Sequence, residues 1–225
     1  MRARTVLAGL ATAVALTGCG DLEAQLAPES GAKAGKASSA DLKDAREKLG
    51  KLSVKGRAPK TGFDRDEFGP AWSDVDRNGC DTRNDILKRD LSEEKFKAGT
   101  HDCIVLSGVL EDPFSGRTIT FERGQDTSSD VQIDHVIPLS DAWQKGAQQW
   151  TDGKRKEFAN DPLNLLAVDG PLNGQKSDSD AASWLPPRKA YRCEYIARQI
   201  DVKAKYDLWV TSAEKDAMKD VLSSC

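Results

Sequence analysis

The residues of this 225-residue chain that are best suited to catalysis surround one of its two histidines. Asp134 directly precedes His135, and Asn164, Asn173 and Lys176 follow further along the chain. Hydrolysis of a phosphodiester bond requires a general base for the attacking water and a cation for the charge on the leaving oxygen. His135 is a candidate base, and Asp134 and Asn173 carry candidate metal-ligand oxygens. Asn164 could orient the base and Lys176 could neutralise a phosphate, so the pattern indicates metal-assisted hydrolysis.

Four strands are expected to position these residues. Apolar and β-branched residues predict strands at 103–110, 131–137 and 164–168, and an alternating pattern predicts another at 117–122. The residues between the strands at 103–110 and 117–122 include proline and glycine, so these two strands should form a hairpin.

Two helices are expected beside the strands. One should span 143–150 and carry both tryptophans of that segment. The other should begin after Asp169, whose side chain suits an N-cap, with Pro171 in its first turn. That helix would place Asn173 and Lys176 one turn apart on the same face.

Further helices are expected at both ends of the chain. Leucine and alanine at helical spacing predict a short helix over 42–52. Another is expected around Tyr191–Tyr206. Thr211 and Glu214 have the spacing of a capping box, which predicts a last helix ending near Cys225.

The position of His135 next to Asp134 imposes a geometric condition on the site. Neighbouring side chains on a strand point to opposite faces. A turn or bulge near Val136–Pro138 must therefore change the direction of one of the two side chains if both are to lie in one site.

The order Asp-His, Asn and Asn-x-x-Lys resembles that of the HNH endonucleases. The resemblance extends to the secreted bacterial members and to the C-terminal domain of GmrSD-type restriction enzymes, and it covers roughly residues 50–225. The segments that carry it are Asn78–Asn84, Asp161–Val168, Pro171–Asp178, Trp184–Pro187 and Tyr191–Tyr195.

The resemblance implies an α+β fold with a ββα-metal core at about 128–180, preceded by a β-hairpin region and followed by C-terminal helices. It implies that His135 is the general base, that Asp134 and Asn173 bind one divalent cation, and that Asn164 holds the loop of the base. Mg²⁺ is the expected cation and Mn²⁺ the alternative. An asparagine, Asn173, stands where the last histidine of the family name would be.

The expected substrate is nucleic acid, DNA more than RNA. The sequence contains nothing that resembles a base-reading module, so low sequence specificity is expected. The formal net charge of −3 counts against a nucleic-acid partner, which usually leaves a basic footprint. Acidic residues crowd the segment before His135 and basic ones follow it, so the charge could be segregated. Arg83 is a candidate contact for the substrate phosphate.

A second set of polar residues suggests a different class of function. Asp74, Asp76, Asn78 and Asp85 match the spacing of an EF-hand calcium loop, with Asp in place of the usual Glu. A non-enzymatic calcium-binding exported lipoprotein module is therefore the alternative. Pro70 lies where the preceding helix would run, which favours a turn rich in Asp and Asn instead.

The N-terminal residues 1–18 predict a targeting signal, with a basic start and an apolar segment too short for a transmembrane helix. Leu16–Cys19 resembles a lipobox, so Cys19 is a candidate lipidation site. An ordinary secretory signal is the alternative. Small and polar residues predict a flexible tether over 19–40, and the nuclease domain should span 41–225. The chain is expected outside the cytoplasm as a monomer, lipid-anchored on the outer face of the cell membrane or released to the medium.

Four cysteines remain besides Cys19, and an even number in an exported chain favours disulfides. Three pairings are open. Cys80–Cys103 and Cys193–Cys225 are favoured because each pair brackets one contiguous block. A zinc site is the competing interpretation, but the chain contains no CxxC spacing.

Overall fold

The computed structural model describes residues 37–225. The expected signal at 1–18, the lipidation site Cys19 and nearly all of the tether at 19–40 lie outside the described residues. Over the described range the fold is mixed α/β. Its strands are β1 (Ser92–Phe96), β2 (Val105–Glu111), β3 (Thr118–Glu122), β4 (Val131–His135) and β5 (Leu165–Asp169). Its α-helices are α1 (Ser39–Lys51), α2 (Thr82–Asp90), α3 (Leu139–Gln144), α4 (Asp152–Ala159), α5 (Gly170–Lys176), α6 (Arg192–Tyr206) and α7 (Ser212–Ser223).

The strands form two small antiparallel sheets. One has the order β1-β2-β3, and the other consists of β4 and β5. The expected hairpin is present as β2 and β3, in which Glu111 pairs with Thr118. β1 was not expected, because its sequence Ser-Glu-Glu-Lys-Phe is mostly charged. It is an edge strand with alternating half-buried and exposed residues, and such a strand can tolerate charge.

Several predicted helices are confirmed together with their caps. Asp169 accepts a hydrogen bond from Leu172 N at the start of α5. Thr211 and Glu214 form the expected capping box of α7. The helix expected over 143–150 is wrong, because α3 ends at Gln144 and a separate short turn follows. Gly146 has φ of 134°, a conformation that side-chain-bearing residues rarely adopt, and it breaks the helix there.

The β4–β5 sheet lies at the centre of the fold, and every residue of β5 is buried. Leu166 and Val168 belong to a core cluster that also includes residues of α1, α6 and α7. Leu165 and Ala167 belong to a second cluster with α2 and the three-stranded sheet. Both faces of β5 are therefore packed, which gives the residues on this sheet a rigid base.

The first residue of α5 fixes how closely this helix approaches β4. A Cβ atom at Gly170 would lie 2.0 Å from the carbonyl oxygen of Ser129, just before β4. Only glycine fits at this position. The close approach brings the side chains of α5 over the face of β4 that carries Gln132 and Asp134.

A largely buried cluster of charged residues joins α3 to the C-terminal helices. Lys145 Nζ lies 2.6–2.8 Å from carboxylate oxygens of Asp141, Asp180 and Glu214. Lys203 on α6 lies 2.9 Å from Glu214 and 3.4 Å from Asp141. The half-exposed Arg57 completes the set, at 3.1 Å from Asp141 and 2.7 Å from Asp180. Three cations thus face three carboxylates, so no buried charge is left without an opposite partner.

Two disulfides, Cys80–Cys103 and Cys193–Cys225, are present, and these are the pairs that the sequence favoured. The first joins the segment before α2 to the loop before β2. The second joins the first turn of α6 to the residues just after α7. Within residues 37–225, no helix combines the length and apolar character needed to span a membrane.

Candidate active site

A cavity of about 320 Å³ lies at the end of β4 and brings together three of the residues singled out above. Asp134, His135 and Asn173 all line it, and Lys60 and Arg65 lie on its wall as well. β4 ends at His135, two residues earlier than expected. The chain then leaves the strand, so Asp134 and His135 reach the same cavity although they are neighbours.

The hydrogen bond made by His135 determines which ring nitrogen could act as a base. His135 Nε2 lies 2.9 Å from the carbonyl oxygen of Ala159. A carbonyl oxygen can only accept, so Nε2 carries the proton and Nδ1 is the basic nitrogen of the neutral ring. Burial lowers the pKa of His135 well below its ordinary value. The hydrogen bond to the Ala159 carbonyl raises this pKa in part, and the positive charges of Arg65 and Lys176 lower it further. The imidazole is therefore neutral at pH 7, the form that a general base requires.

Asn164 holds the chain immediately after His135. Its Oδ1 accepts a hydrogen bond of 2.8 Å from Ile137 N, and its Nδ2 donates to Ile137 O at 3.3 Å. Its backbone oxygen accepts from Val136 N at 2.8 Å. The Asn164 side chain is fully buried. Asn164 thus holds the backbone at both positions after β4, directly beyond His135, where the pairing with β5 ends.

We expect Asn164→Ala to lower the free energy of unfolding by about 1–3 kcal/mol, because the buried Ile137 N–H loses its acceptor. Chemical denaturation would measure the change. Asn173→Ala is the matched control, since that half-exposed asparagine has one side-chain bond and should alter stability by less than about 0.5 kcal/mol. Equal stability of the two variants would contradict the anchoring function of Asn164.

The structure places Lys176 differently from the expectation. Its side chain is fully buried, and Nζ donates to Asp134 Oδ1 and to His135 O, each at 2.8 Å. A buried ammonium group with these partners does not face a phosphate in the cavity. Lys176 instead compensates the charge of Asp134 and holds the backbone of His135. Burial raises the pKa of Asp134, and the Lys176 ammonium opposes that rise.

Asn173 is oriented by a residue that sequence reasoning missed. Its Nδ2 donates a 2.9 Å hydrogen bond to Gln132 Oε1. Because this bond uses the amide nitrogen, Asn173 Oδ1 remains available as a metal ligand at the cavity. Gln132 lies two residues before Asp134 on β4, so the strand alternation places both on one face. That alternation was the available signal.

The donors in the cavity fit a hard divalent cation. Asp134 Oδ2 is buried and has no hydrogen-bond partner among the described residues. With the free amide oxygen of Asn173, it gives two oxygen donors of the kind that Mg²⁺ uses. Asp178, on the cavity wall, adds a carboxylate that Lys60 and Ser140 hold at 3.1 and 3.2 Å. No group of three His, Cys, Asp or Glu residues suited to a metal occurs within residues 37–225.

The positive charge at the cavity comes from residues that the sequence did not single out. Lys60 and Arg65 precede the family-like motifs and lie in a segment that reads as mainly acidic. Arg65 belongs to a four-residue 3₁₀ turn, Arg65–Phe68, whose Phe68 is buried beneath it. No local pattern marks either residue, and only the folded chain brings them to His135.

Arg83 does not reach this cavity. Its guanidinium lies 3.4 Å from the carbonyl oxygens of Ser128 and Val131. Val131 starts β4 and His135 ends it, and four residue steps along a strand span about 13 Å. The expected contact between Arg83 and a phosphate at His135 is therefore not supported by this placement.

The segment with calcium-loop spacing folds as a turn rich in Asp and Asn. Asp74 accepts a hydrogen bond from Gly79 N, and Asn78 donates to both Asp76 and Asp85. The EF-hand geometry expected from the spacing is not met, because the only helical element shortly before the loop is the 3₁₀ turn Arg65–Phe68. Asp85 lies in the first turn of α2.

These observations define a mixed α/β protein whose central two-stranded sheet and following helix bring a neutral histidine, a carboxylate and an amide into one cavity. Residues 81–221 match the family described as GmrSD restriction endonucleases, C-terminal domain. The chain belongs to this family, and membership indicates a nuclease. No solved structure matches the chain.

A fungal protein is similar over most of both chains. It is described as an uncharacterized secreted protein of Arthroderma benhamiae and is 41% identical over 179 residues. The matched region covers 79% of this chain and 82% of the relative.

Proposed function

We propose that the chain is a metal-dependent endonuclease that hydrolyses phosphodiester bonds of DNA, with low sequence specificity, outside the cytoplasm. The observation that carries this proposal is the neutral His135 ring, whose protonated Nε2 is held by Ala159 O and whose Nδ1 is left as the base. The unpartnered oxygen of Asp134 and the amide of Asn173 in the same cavity support it. In this proposal β4, β5 and α5 form a ββα-metal core within about 128–180.

The proposed reaction uses His135 Nδ1 to take a proton from the water that attacks phosphorus. Asn164 keeps the ring in place by holding Ile137. Asp134 and Asn173 would hold one divalent cation, Mg²⁺ or alternatively Mn²⁺, which would stabilise negative charge on the phosphate and the leaving oxygen. Lys176 keeps Asp134 in position from beneath.

We assign the contact with the substrate phosphate to Arg65 and Lys60. Both lie on the cavity wall, and both are exposed. The positive charge of Arg65 contributes to the low pKa of His135, which indicates that the two groups are close. The guanidinium of Arg65 would attract a phosphate locally although the whole chain carries a net charge of −3. Lys60, whose ammonium also pairs with Asp178 at 3.1 Å, would add to this attraction.

The location outside the cytoplasm is supported by the two disulfides and by the secreted relative. The division into a signal at 1–18, a tether at 19–40 and a domain at 41–225 remains our proposal, as does a lipid anchor at Cys19. Mass spectrometry of the mature protein tests the anchor. A mature N-terminus beyond Cys19 without a lipid would rule it out and leave the nuclease proposal intact.

The direct test of the proposed function is incubation of the purified protein with supercoiled plasmid and, separately, with RNA. We expect nicking of the plasmid with Mg²⁺ or Mn²⁺ and none with EDTA. RNA should be cleaved more slowly than DNA. A protein that leaves both substrates intact with either ion would refute the proposal.

Asn173→Ala distinguishes the nuclease from the calcium-module alternative. We expect it to reduce Mg²⁺-dependent nicking by roughly 100-fold or more, because the stabilisation of several kcal/mol that a bound cation gives to the transition state would be lost. Asp76→Ala is the matched control, since it removes an oxygen donor from the other cluster and should leave nicking unchanged.

If the chain were instead a calcium module, the results would be reversed. Calcium would raise the melting temperature of the wild-type protein, and Asp76→Ala would remove that shift. Normal nicking by Asn173→Ala would contradict our assignment of the cation site.

A further inference from the structure

A second cavity, of about 210 Å³, borders the same histidine. It shares Arg65, His135 and Leu139 with the first cavity, so the two adjoin at the proposed base. Its remaining wall is mostly apolar or aromatic, with contributions from Phe68, Pro70, Ala71, Trp72 and Ala159. A phosphate bound at Arg65 would thus have this apolar space next to it.

We infer that the second cavity is a subsite for one unstacked nucleobase adjoining the phosphate at His135. This inference rests on the proposed function and names the part of the substrate that the site grips. The cavity is large enough for a single planar ring system and too small for a base pair. Its apolar wall suits the faces of a base, because base–aromatic stacking tolerates every base.

Trp72 is the more exposed of the two aromatic residues Phe68 and Trp72 on the wall of this subsite. Its indole ring lies within 13° of parallel to the His135 ring, with centroids 6.0 Å apart. The residue has a left-handed φ of 57°, and its carbonyl oxygen accepts from Thr82 N at 3.4 Å. The backbone at Trp72 is thus tied to the start of α2, and the indole is partly exposed.

The polar groups of the cavity suit the edge of a base. Asn160 is almost fully buried, and its Nδ2 donates to Lys156 O at 2.9 Å. Its Oδ1 has no hydrogen-bond partner among the described residues, which is costly for a buried acceptor. Asp66, which is exposed, adds a carboxylate to the wall. The exocyclic amino group of a base could donate a hydrogen bond to Asn160 Oδ1 or to the Asp66 carboxylate.

The subsite is built mainly by a segment outside the family match. Arg65 through Trp72 precede residue 81, where the match begins. The catalytic cavity, by contrast, draws Asp134, His135 and Asn173 from the matched region. The two cavities share Arg65, His135 and Leu139, but the side chains that would contact the face of a base differ from the proposed metal ligands. A base in this cavity has to leave its stack, so single-stranded DNA should bind better than duplex DNA.

The test measures binding in EDTA, so that no cleavage occurs, with single-stranded DNA, the matching duplex and a fully abasic strand of equal length. We expect wild-type protein to bind the base-bearing strand about 5-fold to 100-fold more tightly than the abasic strand. Trp72→Ala should remove this preference without weakening binding of the abasic strand, and Trp72→Phe should retain most of it. Trp209→Ala is the control, because that indole lines neither cavity.

Ala71→Leu keeps the test decisive if Trp72→Ala fails to fold. Ala71 is exposed on the cavity wall, so a large side chain there would fill the subsite without disturbing the core. It should also remove the preference for bases. Equal binding of base-bearing and abasic strands by wild-type protein, or an unchanged preference in Ala71→Leu, would overturn the inference.

A plasmid-nicking assay with Mg²⁺ on the same preparation separates this inference from the proposed function. Nicking without any preference for bases would refute the subsite and leave the nuclease standing. Base-dependent binding without nicking would keep the subsite and refute the nuclease.

Discussion

Replacing His135 by alanine is expected to lower the rate of plasmid nicking by about 10²–10⁴-fold, because the variant lacks the group that we propose as the general base. The fold should persist, since the ring makes one hydrogen bond, to Ala159 O. Circular dichroism and thermal unfolding would verify folding, and nicking rates with Mg²⁺ would give the effect.

The other histidine provides the matched control for this experiment. His101 is exposed in the loop between β1 and β2 and lines neither cavity. His101→Ala should therefore nick plasmid at the wild-type rate. A folded His135→Ala variant with wild-type activity would show that another group is the base.

Replacing Lys176 by methionine is expected to lower the free energy of unfolding at pH 7 by about 3–5 kcal/mol, because the buried carboxylate of Asp134 loses its ion-pair partner. Chemical denaturation would measure this loss. Burial already raises the pKa of Asp134, and the variant removes the ammonium that opposes the rise. A raised folded-state pKa favours the folded state when the group is protonated, so the loss should shrink as the pH falls.

Two controls test the cause of this loss. The double variant Asp134→Asn, Lys176→Met contains no buried charge at this position and should recover part of the stability. Lys219→Met removes an exposed lysine that lies 3.5 Å from Asp216 on α7, and it should cost less than about 1 kcal/mol. If Lys176→Met were fully stable and only bound DNA more weakly, Lys176 would contact the substrate as the sequence suggested.

The parts of the fold that could be predicted from the sequence are those with local signals. The cap at Asp169, the capping box at Thr211 and the β2–β3 hairpin each depend on residues a few positions apart. The family-like motifs likewise indicated Asp134, His135 and Asn173, and the structure brings these three to one cavity. Features of this kind could be predicted because the residues that determine them lie close together in the sequence.

The rest depends on distant parts of the chain. Lys176 could be recognised as part of a motif, but its burial depends on the packing of α5 against β4, which Gly170 permits. Arg65 and Trp72 reach His135 from more than sixty positions earlier, and no periodicity marks them. The broken helix after His135 was missed because apolar spacing outweighed the single glycine at position 146.

The buried cluster of charges limits which part of the chain can fold when it is expressed alone. A segment restricted to about 128–180 contains every proposed catalytic and metal-binding residue, yet it lacks Lys203 and Glu214. In such a segment Asp141 and Lys145 would lose partners from α6 and α7 that are fully buried in the whole protein. We expect the excised segment to be unfolded by circular dichroism. A fusion protein built to test the proposed activity should therefore keep the C-terminal helices, although no residue of α6 or α7 lines either cavity.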